Sequence, residues 1–532
     1  MSRKEKYWSK RHDDPGPWDA IVIGSGMGGM TTAAMLARLG KKVLVLEQHY
    51  VPGGFTHMFD RPGYSWDVGV HAVGEVTTHS LTGKLLAELS GGRLEWASLG
   101  PIYDEFHYPD GFRIDFPDNP RQFRDNLLAA FPDEVAAIDG YLAYVKEVAA
   151  GMKGYYLVRS VPSWLTWLLE LLLARDVQKH FLRRTSDVVA ELTSDPRLRA
   201  LFVAQWGYYG STPSASSFAI QALVVRHFAH GGYYPVGGAG QIAATLLRTV
   251  AEAGGWTRIS TDVDQIMLEE GRAVGVRLAN GEELRARHII SAAGVASTLR
   301  RLLPAEVQAQ DWARSILALR PAAAHVCLYI GFKGDIRTAG ASGANKWFYE
   351  TWDMELEAWR VGDDPIPDAP CLYCSFPSLK DPEHDPGEEL RHTGEVVTFV
   401  PWESFEPWQG TRWKKRGEDY DAFKERLKDK LLEQFLRHLP ELAPMIDYVE
   451  LSTPLSTDNF CRPTQGSIYG IEPTPERFAN PWLRPHAPID GLFFSGSEVA
   501  TVGVIGAMMG GVMAAMAVEP VGALRMLWGM QR

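Results

Sequence analysis

The stretch Ala20-Ile-Val-Ile-Gly24-Ser25-Gly26-Met-Gly28-Gly29 decides the fold. A short apolar run enters it, and a small-residue, helix-forming run from Met30 to Leu39 leaves it. A second apolar run, Val43 to Leu46, ends in Glu47. Strand, glycine turn, helix, strand and acid in this order make a βαβ dinucleotide fingerprint. Gly24 permits the tight turn, Gly26 lets the backbone approach a pyrophosphate, and Gly29 lets helix and strand pack closely. The helix N-terminus offers free N–H groups and the positive end of its dipole to phosphate. Glu47 stands where a carboxylate accepts hydrogen bonds from a ribose 2′-OH, which disfavours a 2′-phosphate and selects FAD or NAD over NADP.

The residues after the acid favour FAD. Gln48-His-Tyr-Val-Pro-Gly53-Gly54-Phe55 places paired glycines directly behind the second strand, a second bare-backbone approach to a pyrophosphate. Gly63-Tyr-Ser-Trp-Asp67-Val-Gly69-Val70-His71 follows, and Gly69 has no side chain to block a flat ring. The far end supplies an independent signal. Asp490-Gly-Leu-Phe-Phe-Ser495-Gly496-Ser497-Glu498 reads as an apolar strand running into a glycine turn, and Gly503-Val504-Ile505-Gly506 opens a helix of small residues. Two glycine turns at opposite ends of a chain suggest one shared ligand.

Taken with Tyr234-Pro-Val-Gly237-Gly238 and Ile289-Ile-Ser-Ala-Ala293-Gly294, these blocks resemble, in order, the FAD-dependent superfamily of phytoene desaturases, carotenoid isomerases and retinol saturases. Asp67-Val-Gly-Val-His71, Thr453-Pro-Leu-Ser and Gly503-Val-Ile-Gly-Ala-Met-Met-Gly-Gly resemble the retinol saturase branch most. Two positions depart from the wider pattern: Val70-His71 replace the usual Pro and Ser or Thr, and Ser497-Glu498 replace the usual Asp. The resemblance implies an α/β fold: a discontinuous Rossmann-like FAD-binding domain with an interleaved α+β substrate domain of the amine oxidase and phytoene desaturase type. It assigns Gly24, Ser25, Gly26, Gly28, Gly29, Glu47, Gln48, Gly53, Gly54, Phe55, Val70, His71, Val263, Ala293, Gly294, Gly496, Ser497, Glu498, Gly503, Val504 and Ile505 to the cofactor. Val263 in related proteins presents its backbone to the adenine; on its own it reads as ordinary core.

The 532 residues, 45% of them hydrophobic, can bury a large core. Length alone suggests about three or four domains. The order of the blocks suggests two interleaved ones instead: an N-terminal arm at 1–16, FAD-binding pieces at 17–95, 225–300 and 485–520, substrate-domain pieces at 96–224 and 301–484, and a tail at 521–532. The piece 96–224 reads as long helical stretches. A net charge of −11 argues against a nucleic-acid surface. Four cysteines make no disulfide framework, and Cys371-Leu-Tyr-Cys374 lies in an apolar, strand-like run where buried thiols are expected rather than a zinc or redox site. The charged N-terminus lacks the apolar run of a signal peptide. A cytoplasmic compartment is the simplest expectation.

Val161-Pro-Ser-Trp164-Leu-Thr-Trp167-Leu-Leu-Glu-Leu171, followed by Arg175, Lys179, Arg183 and Arg184, has the chemistry of an interfacial helix and equally that of a buried one. The resemblance favours the membrane surface, because lipid-soluble polyenes are collected from a bilayer. That places the protein peripherally on the inner face. The chemistry implied is hydride transfer to or from a carbon–carbon double bond of an apolar polyene or isoprenoid: saturation first, desaturation or cis–trans isomerisation as alternatives, and a non-enzymatic prenyl-lipid carrier as the rival from another class. No metal is expected. No second dinucleotide fingerprint appears, so the electron partner is a transient nicotinamide, a quinone or a partner reductase. His71 is the candidate for proton donor or substrate-orienting group, with a loop-fixing role as the alternative. Tyr469, in Gln465-Gly-Ser-Ile-Tyr469-Gly470, is the second candidate. Tyr233 and Tyr234 are candidates for the cavity wall, and Arg226, His227 and His230 read as a solvated helix face.

Overall fold

A computed structural model of the chain describes residues 7–12, 14–161, 172, 175–355 and 358–530. Trp18–Ile23 is buried and apolar enough to sit inside a sheet, and it does: it lies between the parallel strands Val43–Leu46 and Glu283–Ser291. Leu492–Phe494 pairs in parallel with Glu283–Ser291, as Trp18–Ile23 does, so both glycine turns leave the carboxyl end of one sheet. The sheet order runs Trp8–Ser9, Trp256–Arg258, Val43–Leu46, Trp18–Ile23, Glu283–Ser291, Arg272–Leu278, Val263–Glu269. The last three strands are antiparallel neighbours, and Gly281, at φ +89°, turns Arg272–Leu278 into Glu283–Ser291 as Asn280-Gly281 predicts. The arm contributes to this sheet, since Trp8 and Ser9 pair with Thr257 and Arg258 at its edge.

The helix Met27–Arg38 packs against the helix Gly503–Val518 through small residues. A Cβ on Gly511 would stand 2.5 Å from the Gly28 carbonyl oxygen, and one on Gly510 would stand 2.0 Å from that of Gly496. Thr32 Oγ1 donates to the Gly511 carbonyl oxygen at 3.1 Å and meets Ser495 Oγ at 2.9 Å. Glycine therefore serves here as a spacer that brings two helix N-termini together.

A second sheet of seven strands runs Ile446–Ser452, Ala324–Lys333, Arg391–Val400, Cys371–Ser375, Asn345–Tyr349, Ile102–His107, Arg113–Pro117. Its last two strands lie in the piece that reads as helical from sequence. The long helices of that piece, Val135–Ser160 and Phe218–His227, pack beside this sheet in one hydrophobic cluster. The hairpin Met58–Arg61 and Tyr64–Asp67 carries the chain from the first sheet to the second, where Trp66 meets Tyr329 edge-on and donates to the Ile330 carbonyl. Cys371 and Cys374 are buried thiols in mid-strand, as their apolar surroundings predict. Among the described residues no group of His, Cys, Asp and Glu is arranged to hold a metal ion. Trp164, Trp167 and Leu171 lie outside the described residues.

Candidate active site

One continuous cavity of about 460 Å³ begins at the fingerprint and ends against the second sheet. At its first end, Gly24 turns at φ +94° and Gly26 exposes bare backbone, since a Cβ there would meet nothing within 4 Å. Gly496 at φ +101° and Gly503 at φ +83° are equally open on the other side. The helices starting at Met27 and Gly503 have no side-chain N-cap, so both present free N–H groups to this space. Gly54 closes over Gly26: its Cβ would lie 2.9 Å from the Gly26 Cα. Such a cradle of unobstructed backbone and two positive helix ends fits a pyrophosphate.

Glu47 reaches the same cavity from the end of its strand. Its Oε2 accepts from the Ser25 N–H at 2.9 Å and from Ser25 Oγ at 2.6 Å, and its Oε1 accepts from the His49 N–H at 2.7 Å. The carboxylate is thus oriented before any ribose arrives. Gln48, Phe55, His71, Val263, Ala293, Gly294, Gly28, Gly496, Ser497, Glu498, Gly503, Val504, Ile505 and Tyr469 also line the cavity.

Four of the expected cofactor residues stand one layer back. Ser25 holds Glu47 and accepts from the Gly53 N–H at 3.0 Å. Gly53, at φ +127°, shapes that turn. Gly29 makes room for the Gly24 carbonyl oxygen, 2.1 Å from where its Cβ would be. Val70 is buried in the first-sheet core. Glu498 lines the cavity, yet its carboxylate serves the backbone: Oε2 accepts from Val295 and Ala296 N–H, and Oε1 from Ile471 N–H at 3.1 Å. Gly69 also lines it, and the nearest groups to its absent Cβ are the backbone and ring of Phe55.

Beyond His71 the wall turns apolar. Ile220, Leu223, Val224 and Phe228 come from the helix Phe218–His227 and the residue after it, and Trp347, Tyr373, Val397 and Phe399 from one face of the second sheet. Tyr469 belongs to this wall; its hydroxyl donates to the Gly207 carbonyl at 3.2 Å, and burial pushes its ionisation far above the ordinary phenol range. Tyr233 and Tyr234 do not line the cavity. Tyr233 pairs with the strand at Ser98, and the Tyr234 hydroxyl donates to Asp67 Oδ2. His227 is no solvated side chain: it lines the cavity, and its Nε2 accepts from the Gly74 N–H at 2.7 Å. Arg226 lies 3.6 Å from Glu75, and His230 is exposed.

His71 sits where the cradle meets the apolar wall. Its ring edges onto Tyr373 at 5.3 Å, and its Nδ1 lies 2.9 Å from Glu395 Oε2 without the alignment of a hydrogen bond. Burial, reinforced by the nearby Lys380 charge, pushes His71 down to about 3, so it is a neutral imidazole at physiological pH. Burial pushes Glu395 up to about 8 and Asp67 up to about 7. His325, also in the cavity wall, is pushed down to about 4 by burial and by His71. His325, Glu395 and Lys380 escape the sequence reading because only strand pairing and a buried loop bring them to His71. The signal for Glu395 is an acid inside the apolar run Gly394-Glu-Val-Val-Thr-Phe-Val400.

The model of the family described as flavin containing amine oxidoreductase matches residues 27–519. All-trans-retinol 13,14-reductase of Danio rerio is 33% identical over 518 residues, covering 93% of this chain and 85% of its own. Prolycopene isomerase of Arabidopsis thaliana is 26% identical over 520 residues, covering 95% of this chain and 83% of its own. Among solved structures, cyclohexylamine oxidase from Brevibacterium oxydans superposes with a TM-score of 0.59 at 19% identity, covering 97% of this chain and all of its own, which is a likeness of fold. With the cradle described above, these findings make FAD the cofactor. The chain belongs to the flavin-containing amine oxidoreductase family, as an FAD-dependent oxidoreductase.

Proposed function

We propose that this enzyme reduces a carbon–carbon double bond of an apolar polyene or isoprenoid of retinoid or carotenoid type. The observation that carries the reading is the continuity of the cavity: it leads from the cradle, past a neutral histidine, into a wall of aromatic and branched aliphatic side chains. The names of the relatives, a retinol reductase and a prolycopene isomerase, both denote proteins acting on polyenes.

FAD, when bound, supplies a two-electron hydride exchange. The protein's residues do the rest. Gly26, Gly496, Gly503 and the two helix ends hold the pyrophosphate, and Glu47 holds the ribose. Ile220, Leu223, Phe228, Trp347 and Phe399 exclude water and align a flat, conjugated chain. His71 delivers the proton that saturation requires at the carbon not receiving hydride. Tyr469 shapes the wall rather than donating, because its hydroxyl is already committed to Gly207.

Anaerobic incubation of reduced enzyme with candidate polyenes, read by mass and retention time, tests the proposal. A gain of one dihydrogen supports saturation. An unchanged mass with shifted retention supports the second reading, isomerisation, which the prolycopene isomerase relative favours. A colourless protein that takes up no FAD points to the carrier. A nicotinamide, a quinone or a partner reductase supplies the electrons; stopped-flow reduction with each separates them. We further propose peripheral attachment to the inner face of a membrane through 161–184, to be tested by liposome flotation of a Trp164→Glu, Trp167→Glu variant. Among the described residues no helix is long and apolar enough to cross a membrane.

A further inference from the structure

The second sheet carries a polar row across its strands. Asp104 pairs with Asn345, Ser375 with Glu395, and Glu395 with Tyr329, so these side chains stand side by side on adjacent strands. Two residues further along, the next row is Phe106, Trp347, Tyr373, Val397 and Cys327, part of it the apolar wall of the cavity. Glu395 therefore stands on the same strand face as Val397 and Phe399, one step past the apolar wall and against His71.

Glu395 differs from the other buried acids of this region. Asp67 is fully engaged, accepting from Tyr234 and from the Ala239 N–H at 3.0 Å. Asp104 accepts from Tyr208 at 2.7 Å and Asn345 at 3.0 Å. Glu395 is 1% exposed and neither of its oxygens has an aligned side-chain hydrogen bond; the Asp67 backbone N–H approaches the carboxyl, and His71 Nδ1 lies 2.9 Å from Oε2. An ionised carboxylate in such a place costs several kcal/mol. The neutral acid, a donor, suits the neutral imidazole 2.9 Å away, an acceptor at Nδ1.

We propose that Glu395 is the proton store of the site, a residue that acts through His71. Its O–H passes to His71 Nδ1 as the His71 Nε2–H passes to one carbon of the substrate double bond. The other carbon takes hydride from the reduced flavin, which is oxidised by two electrons. The π pair forms the C–H bond to the proton, His71 ends neutral in its other tautomer, and Glu395 ends as a carboxylate. The inference rests on the reading of His71 as proton donor.

The carboxylate so formed faces Lys380. Lys380 Nζ donates to the His71 carbonyl at 2.7 Å, to Ser375 Oγ at 2.7 Å and to Asn345 Oδ1 at 2.5 Å. Lys380 also lines a second cavity, with Asp381, His384, His392 and the exposed Arg337 and Leu390. It thus stands between Glu395 and the surface, and it is the residue that returns the proton. Burial lowers Lys380 to about 7, which makes release of that proton accessible near neutrality. The titratable groups facing Glu395 are His71, Asp67, Tyr234, Cys327, Tyr329, Tyr373 and Lys380.

The test uses the FAD-loaded enzyme and two readouts. In infrared difference spectra across a pH titration, wild type shows a deuterium-sensitive carboxylic-acid carbonyl band that Glu395→Gln removes; a spectrum unchanged by the substitution overturns the proposal whether or not any polyene is reduced. In single-turnover saturation, Glu395→Gln keeps its flavin and substrate affinity but protonates product about 100-fold more slowly, and loses the alkaline limb of its pH profile. Glu395→Asp restores part of the rate and a shifted infrared band, and it serves if the Gln variant folds poorly. Lys380→Met, which leaves the His71 carbonyl and Asn345 Oδ1 without their donor, slows later turnovers more than the first. A wild-type rate and pH profile in Glu395→Gln also overturns the proposal. A wild type that leaves every polyene unchanged, with the infrared band intact, overturns the functional reading instead.

Discussion

Two glycines two residues apart in the fingerprint separate cofactor binding from folding. Gly26 has φ −65° and ψ 174°, a conformation any residue adopts, and a Cβ there meets nothing within 4 Å. Gly26→Ala therefore adds no strain to the protein and removes freedom from the unfolded chain, a gain of about 0.4–1 kcal/mol. The same methyl projects into the cradle where the pyrophosphate backbone contact is made. Each tenfold loss of FAD affinity corresponds to about 1.4 kcal/mol, and a displaced contact of this kind costs at least one such step. Gly28→Ala behaves oppositely: its Cβ would stand 2.5 Å from the Gly496 Cα and 2.8 Å from the Gly496 nitrogen, backbone that cannot rotate away. That overlap costs about 1–3 kcal/mol in the apoprotein. The assay pairs thermal unfolding of both apoproteins with flavin titration followed by visible absorbance. The expected pattern is an apo-stable Gly26→Ala that binds FAD weakly and a Gly28→Ala that melts early. Wild-type FAD affinity in Gly26→Ala refutes the placement of the cradle.

Three further outcomes are expected. Glu47→Ala leaves the Ser25 and His49 N–H groups without their acceptor, at about 1–3 kcal/mol for each buried group, so it lowers flavin content and apoprotein stability together; unchanged melting counts against the preorganised carboxylate. Burial raises the Glu105 carboxyl, but the nearby His107, the hydrogen bond from Lys346 and the Arg113 charge outweigh it and hold it down at about 2. A depressed folded-state pKa stabilises above the unfolded value of 4.5 and the contribution is lost as pH falls toward 2; Lys346→Met, which removes one of the partners that lower it, should shrink that contribution in acid-denaturation curves. Glu395 has the reverse sign: raised from 4.5 to about 8, it holds a proton the unfolded chain has released, so stability falls as pH rises through that window. Glu395→Gln should gain stability relative to wild type across the same range in denaturant titrations, and a constant difference with pH would contradict the neutral acid.

The cradle is legible in the sequence because glycines at turns report on backbone, and backbone turns are local. Gly24, Gly26, Gly496 and Gly503 stand where their spacing puts them for that reason. The remaining cofactor residues rest on the family resemblance; among them Glu498 lines the cavity while its carboxylate accepts from three backbone N–H groups. The strand Ile102–His107 is hidden by Asp104 and Glu105, which break its apolar pattern yet are both buried, one bonded to Tyr208 and Asn345 and the other paired with Lys346. Tyr234 reads as cavity wall because it precedes a glycine pair, but a buried Asp67 claims its hydroxyl. His71 is visible through its motif, whereas His325, Lys380 and Glu395 lie far along the chain and reach it only through tertiary packing, which no local pattern encodes.

The placement of Leu492–Phe494 against Glu283–Ser291 also governs the order of events during biosynthesis. A nascent chain that has emerged from the ribosome only as far as Trp482 holds the first glycine turn but has no second helix end to complete the phosphate seat. Flavin capture must await release of nearly the whole polypeptide. A yellow colour in freshly made protein is therefore a certificate that synthesis has run past Val504, and prematurely terminated products should emerge colourless and be cleared.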